Sequence, residues 1–224
     1  MKMIVELEKA TLAFKALFPL LDTDLDRELD SRGFAIPSPG RNVLRVSQDG
    51  RETVAIRWTK GDTEVFYDPG RAMLSSEGRS PQQVAEAFGE LCDVAQSLLG
   101  GTFDAQLKWS ELNAVVRSAG TKQPLTSIGA HADPLIASIG NLLGAKTQRF
   151  SVTACSPVTG DALRPLTELE DWSFVSVEPL IANPGYYLTR VVIRRSTAKP
   201  IAEFTLKLEN FTQSVISHLE KDHQ

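Results

Sequence analysis

The sequence predicts an α+β fold: a largely antiparallel sheet, or sheets, with helices packed on one face, in which a strand-strand-strand-helix order occurs twice. Three observations carry this expectation. β-type runs at Asn42 to Ser47, Thr53 to Trp58 and Thr63 to Tyr67 precede a helix, Pro81 to Leu99, that can be read with its caps. A second set, at Phe174 to Leu180, Tyr186 to Arg195 and Ile201 to Leu208, precedes a helix from about Phe211 to Lys221. Turn sequences between the runs are short, which suits hairpins and antiparallel pairing.

In chain order, Met3 to Phe18 alternates imperfectly between apolar and polar residues and reads as a strand ending at Pro19. A short helix follows, with Asp22 or Thr23 as N-cap, Asp24 and Asp26 near the positive end of the helix dipole, and Gly33 as its stop. The acidic run from Asp22 to Asp30 is a solvated helix face in this reading, and no metal site is expected. Gln48-Asp49-Gly50-Arg51 supplies a hairpin turn, because Asp-Gly accepts positive φ at both central positions. Val54, Ile56 and Trp58 then alternate with Thr53, Ala55 and Arg57, and Lys60-Gly61-Asp62 makes the next turn.

Ser80 is placed to cap a helix whose first residue is Pro81, with Gln83 completing a capping box. Val84, Phe88, Leu91, Ala95 and Leu98 form one apolar stripe ended by Gly100-Gly101. Phe103 to Trp109 and Leu112 to Arg117 make a long or broken strand, and Gly120 to Ala132 is small, polar and flexible. Asp133-Pro134 opens a short helix, apolar at Leu135, Ile136, Ile139, Leu142 and Leu143, whose hydrophobicity predicts burial on most sides. Gln148 to Ala154 reads as a strand and Asp161 to Glu170 as a helical or loop segment before the last strands and the terminal helix. Nothing of linker length or composition separates the halves. The expectation is therefore a single domain over 1–224, with halves 1–118 and 133–224 joined by a flexible 119–132 loop.

Bulk properties limit the function classes. With 224 residues, 42% hydrophobic and 23% charged, the chain has the composition of a globular protein with a sizeable core. A net charge of −4 argues against mainly electrostatic attachment to nucleic acid or anionic lipid. Two cysteines, Cys92 and Cys155, rule out a disulfide framework and read as small buried thiols. No apolar run approaches the ~20 residues of a membrane span, and Glu6 and Glu8 interrupt any signal-peptide core. A cytoplasmic protein with no membrane contact is expected.

Candidate chemistry is sparse. His131 and Asp133 are the one closely spaced His and carboxylate in a Gly-flanked loop, where a general base oriented by a carboxylate would make a hydrolase. Asp133 already has work as the N-cap before Pro134, so no catalytic residue is assigned. His218 and His223 lie five apart, not the three or four of ligands sharing a helix face. There is no Gly-x-Ser-x-Gly elbow and no phosphate-binding glycine loop, and no cofactor is expected. Arg190, Arg194 and Lys199 form the densest basic stretch and could hold single-stranded nucleic acid beside Tyr186. The alternative is an outer sheet face answering Glu178 and Glu203.

The strand around residue 190 is apolar on both faces: Tyr186, Leu188 and Val192 on one side, Tyr187, Val191 and Ile193 on the other. Such a strand is central between layers or lines a protein-binding groove. The protein-binding candidates are Tyr186, Leu188, Val192 and Trp58, and the partner is another protein or a second copy of the chain.

The layout of Leu12 to Phe34, Asn42 to Trp109 and Phe204 to His218 resembles the SecB-like group of bacterial α+β proteins. The resemblance implies a non-enzymatic, often oligomeric protein that binds exposed apolar segments of other polypeptides through strand-lined grooves, without a cofactor. It assigns no functional residue, because no motif matches position by position.

Overall fold

The computed structural model describes residues 3–37, 40–46, 52–130, 134–156 and 170–221. Its first half contains β1 (Ile4–Ala16), α1 (Asp22–Ser31), β2 (Asn42–Val46), β3 (Glu52–Lys60), β4 (Thr63–Asp68), β5 (Met73–Gly78) and α2 (Pro81–Leu99). Its second half contains β6 (Leu107–Ala119), α3 (Pro124–Gly129), α4 (Pro134–Leu143), β7 (Val152–Ser156), β8 (Trp172–Pro179), β9 (Tyr186–Arg195), α5 (Lys199–Thr205) and α6 (Leu208–Leu219). The described strands make one sheet in the order β2-β3-β4-β5-β1-β6-β9-β8-β7, with every pairing antiparallel.

That order has internal symmetry. β1 pairs with β6 at the centre; β5 flanks β1 as β9 flanks β6, and β4 and β3 are answered by β8 and β7. The repeating unit is thus a long strand, a helix, a meander and a second helix region, and β6 opens its second occurrence.

Helices cover one face. α2 packs on β1, β4 and β5, α5 on β6 and β9, α6 on β1 and β6, and α3 on β8. Alternate residues supply the core beneath them: Leu12 and Phe14 from β1, Leu74 from β5, Leu112 and Val116 from β6, and Val191 from β9. Phe88 and Phe103 meet the Phe14 ring edge-on, with centroids 6.0 and 5.1 Å away. α2 forms over the expected residues because Ser80 Oγ accepts from the Gln83 N–H (3.4 Å) and Gly100 takes φ +70° at its end.

Several expectations are corrected. Trp58 is a core residue, 1% exposed, whose indole Nε1 donates to Asp26 Oδ1 at 3.1 Å, so it is not a protein-binding surface residue. Ile201 to Leu208 forms α5 and the start of α6, not a strand. Ile201, Thr205, Leu208 and Thr212 are buried at helical spacing while Leu206 is exposed, so the apparent alternation had the wrong period. β5 lacks β-branched residues and is held as a strand by ladders on both sides, to β1 and β4. A 3-10 turn at Phe103–Gln106 precedes β6, and α3, anchored by buried Ile128, occupies part of the segment expected to be a loop.

The α1 N-cap position falls on Leu21, with Asp22 and Asp24 in the first turn. α4 is exposed where burial was expected: Leu135, Leu142 and Leu143 all face outward. Cys155 is exposed and Cys92 partly exposed, so neither is a fully buried thiol. The expected turn Gln48 to Arg51, the pair His131 and Asp133, His223, and most of Asp161 to Glu170 lie outside the described residues.

Candidate functional site: the uncovered face of the sheet

Residues alternating with the core set form the second face of the sheet, and the registers place them in rows. One row crosses from β3 to β8 as Arg57, Phe66, Ser75, Ala13, Glu111, Arg194 and Trp172. The next is Glu77, Thr11, Asn113, Val192, Phe174 and Cys155, and beyond it Lys9, Val115 and Arg190.

This face is concave at the β2–β5 end. Neighbouring strands lie about 4.8 Å apart, so β2 and β5 are roughly 14 Å apart along the sheet. Arg45 of β2 nonetheless pairs with Glu77 of β5 and stacks over the Phe66 ring of β4 at 4.3 Å. Ala55 and Phe66, on the face that no described helix packs against, are 0% and 6% exposed. Only a sheet curled toward this side brings those groups together.

Lys9 Nζ adds a second cation to Glu77, 2.6 Å from Oε2, so one nearly buried carboxylate holds Lys9 and Arg45 in place. At the other end Arg194 donates through Nε (2.9 Å) and Nη2 (2.7 Å) to Glu111 Oε2. The guanidinium lies 4.3 Å from the Trp109 ring and 5.6 Å from the Trp172 ring, a stacked arrangement that arginine favours. Burial pushes the Glu111 carboxyl above its ordinary value, and the charge and hydrogen bonds of Arg194 offset part of that rise.

Between these two charged clusters lies a cavity of about 300 Å³, lined by Lys9, Thr11, Ala13, Arg45, Met73, Ser75, Glu111, Asn113 and Val115. Its floor at the β1–β6 centre consists of short side chains, and its walls are ion pairs. The arrangement offers both hydrogen-bonding groups and apolar contact.

The structure brings part of the sequence-derived set to this face. Val192 sits directly across from Asn113 of the cavity, and Leu188 and Tyr186 follow down β9, all partly exposed. Arg117 lies over the Tyr186 ring at 5.5 Å and pairs with Glu6. The basic set does not form one surface. Arg194 is buried in its pair with Glu111, Arg190 pairs with Glu178 at 3.2 Å, and Lys199 stands at the start of α5 on the helix side. Arg45, Glu77, Glu111, Trp109 and Trp172 were missed by sequence reasoning; their only signal was polar or aromatic residues at alternate positions of strands otherwise rich in apolar ones.

On the helix side, a cavity of about 460 Å³ lies between α2, the 3-10 turn and α5, with Phe88, Cys92 and Phe103 in its wall. Burial pushes the Cys92 thiol well up, reinforced by the charges of Asp93 and Asp104, so it is a poor nucleophile. Among the described residues no group of three or more His, Cys, Asp or Glu could hold a metal ion, and no helix is long and apolar enough to cross a membrane.

No protein-family model matches this chain, and no curated protein matches it. Among solved structures, Methanococcus jannaschii TBP aligns over 96% of this chain and 98% of its own at 10% identity, with a TM-score of 0.32. A similarity of that size shows neither a family nor a function.

Proposed function

We propose that the protein is a non-enzymatic binding or assembly subunit that takes an extended segment of another polypeptide on the concave, helix-free face of its sheet. The observation that carries this reading is the trough at the β1–β6 centre: a floor of Thr11, Ala13, Asn113 and Val115 between the Lys9–Glu77–Arg45 and Glu111–Arg194 clusters. An extended peptide presents alternate side chains to one side. Short residues leave room for them, and the prearranged charges and the partly exposed Leu188 and Val192 supply polar and apolar contact without ordering long side chains on binding. The reading agrees with what the SecB-like resemblance implies and includes a cytoplasmic location and no cofactor.

Two variants test it. Asn113→Trp fills the trough and Leu188→Asp charges its apolar extension. Both should remain soluble with the wild-type circular dichroism spectrum and lose a polypeptide that co-purifies with the wild type and whose binding is reproduced with purified components. Retention of that polypeptide by both variants would sink the proposal.

A further inference from the structure

The internal symmetry of the sheet exposes a difference between its two ends. β3 is flanked by β2 and β4, whereas its counterpart β7 is flanked by β8 alone among the described strands. Among the described residues, no strand occupies the matching position beyond β7. β7, Val152–Ser156, is exposed from Thr153 onward and has no charged residue and no proline, the features that normally guard an edge. The β2 edge is different, since Arg45 turns inward over Phe66 and the sheet curls there.

We propose that β7 pairs antiparallel with β7 of a second copy of this chain, joining two sheets into one. A twofold axis through an edge strand imposes that direction. Centred on Ala154, the pairing sets Thr153 opposite Cys155 and Val152 opposite Ser156, with no like charges facing each other. An edge of five residues is a thin contact, and stable interfaces bury on the order of 1,200 Å² or more.

α4 offers further area. Thr147 Oγ1, in the segment leading into β7, donates to Ile136 O of α4 at 2.6 Å, which ties the helix to that segment. Leu135, Leu142 and Leu143 on α4, and Phe150 just before β7, are exposed apolar groups that self-association would cover. This surface is separate from the trough, so either proposal can fail alone.

Sedimentation equilibrium over a wide concentration range should show a monomer–dimer equilibrium. Ala154→Lys, which sets two ammonium groups against each other at the axis, and Leu142→Glu should each shift it to monomer while the melting curve keeps its cooperative form. Thr153→Cys, treated with diamide, should give a covalent dimer on a non-reducing gel through Cys155 of the second copy. A wild type that stays monomeric at every concentration, or a dimer unaffected by both Ala154→Lys and Leu142→Glu, overturns the proposal.

Discussion

The Glu220 carboxylate closes on Thr121, a residue 99 positions earlier, accepting from its hydroxyl at 2.6 Å and its backbone N–H at 3.1 Å through the same oxygen. Its second oxygen accepts from Lys122 N (3.0 Å) and the Tyr187 hydroxyl (3.2 Å). The end of α6 is thereby fastened to the residues that leave β6. Burial opposes ionisation of Glu220, but the bonds from Thr121 and Lys122 outweigh it and hold the carboxyl below its ordinary value of 4.5.

That depressed value gives the fastening a pH dependence. The contribution is fully present above the unfolded-state value and is lost as the pH falls through the lower folded-state value. Glu220→Gln should cost about 1–3 kcal/mol near neutral pH, and the gap between its melting temperature and that of the wild type should close in acid. A gap constant down to acid pH would show that the charge plays no part. Tyr187, pushed up to about 12 first by burial and further by Glu220, should resist alkaline ionisation until the fold opens.

Gly120 stands against the same carboxylate. A Cβ there would lie 2.0 Å from Glu220 Oε1 and 2.6 Å from Tyr187 Cε2, closer than atoms can approach. Gly120→Ala should destabilise by about 1–3 kcal/mol in urea unfolding. Combined with Glu220→Ala, which removes the nearest obstacle, the penalty should shrink, as coupled neighbours require.

Trp58 separates packing from hydrogen bonding. Asp26 takes the indole N–H on one oxygen and Arg41 on the other, at 2.6 Å. Trp58→Phe keeps most of the packing and loses the indole donor, so about 1 kcal/mol is expected. Trp58→Ala opens a cavity in the core and should cost about 3–5 kcal/mol.

The Glu111–Arg194 pair can be tested by a double-mutant cycle. Glu111→Ala removes the oxygen that accepts from both Nε and Nη2 of a buried guanidinium and should cost about 3 kcal/mol or more. Glu111→Leu with Arg194→Met should recover most of that, because the pair also carries a desolvation cost. Equal losses in the single and the double variant would contradict this account.

The two thiols should differ in reactivity. At a concentration that keeps the chain monomeric, Cys155 on the exposed edge should react with a maleimide well before Cys92, whose thiol burial pushes upward. Urea should bring the two rates together.

Local chemistry was legible where it decides the outcome by itself. Ser80, Pro81 and Gly100 bound α2 because capping and positive φ involve residues adjacent in sequence. The β2–β3–β4 meander and β9 were readable from alternation and turn residues, and so was the antiparallel α+β class. β5 and α5 were not. A strand without β propensity exists because two neighbours pair with it, and a helix overrides an apparent period of two because the core accepts Ile201, Thr205 and Leu208 on one stripe. The candidate site was legible only in part. Tyr186, Leu188 and Val192 showed as a strand with too many apolar faces, but Arg45, Glu77, Glu111 and Arg194 are scattered along the chain.

By itself, then, the sequence determined where the capped helix begins and ends and roughly where the hairpin strands lie, since those depend on contacts within a few residues. Tertiary structure decided the symmetric strand order, the curl that puts Arg45 beside Glu77, and the place of β7 at the end of the described sheet. Each depends on groups far apart in sequence whose meeting is set by the sheet as a whole.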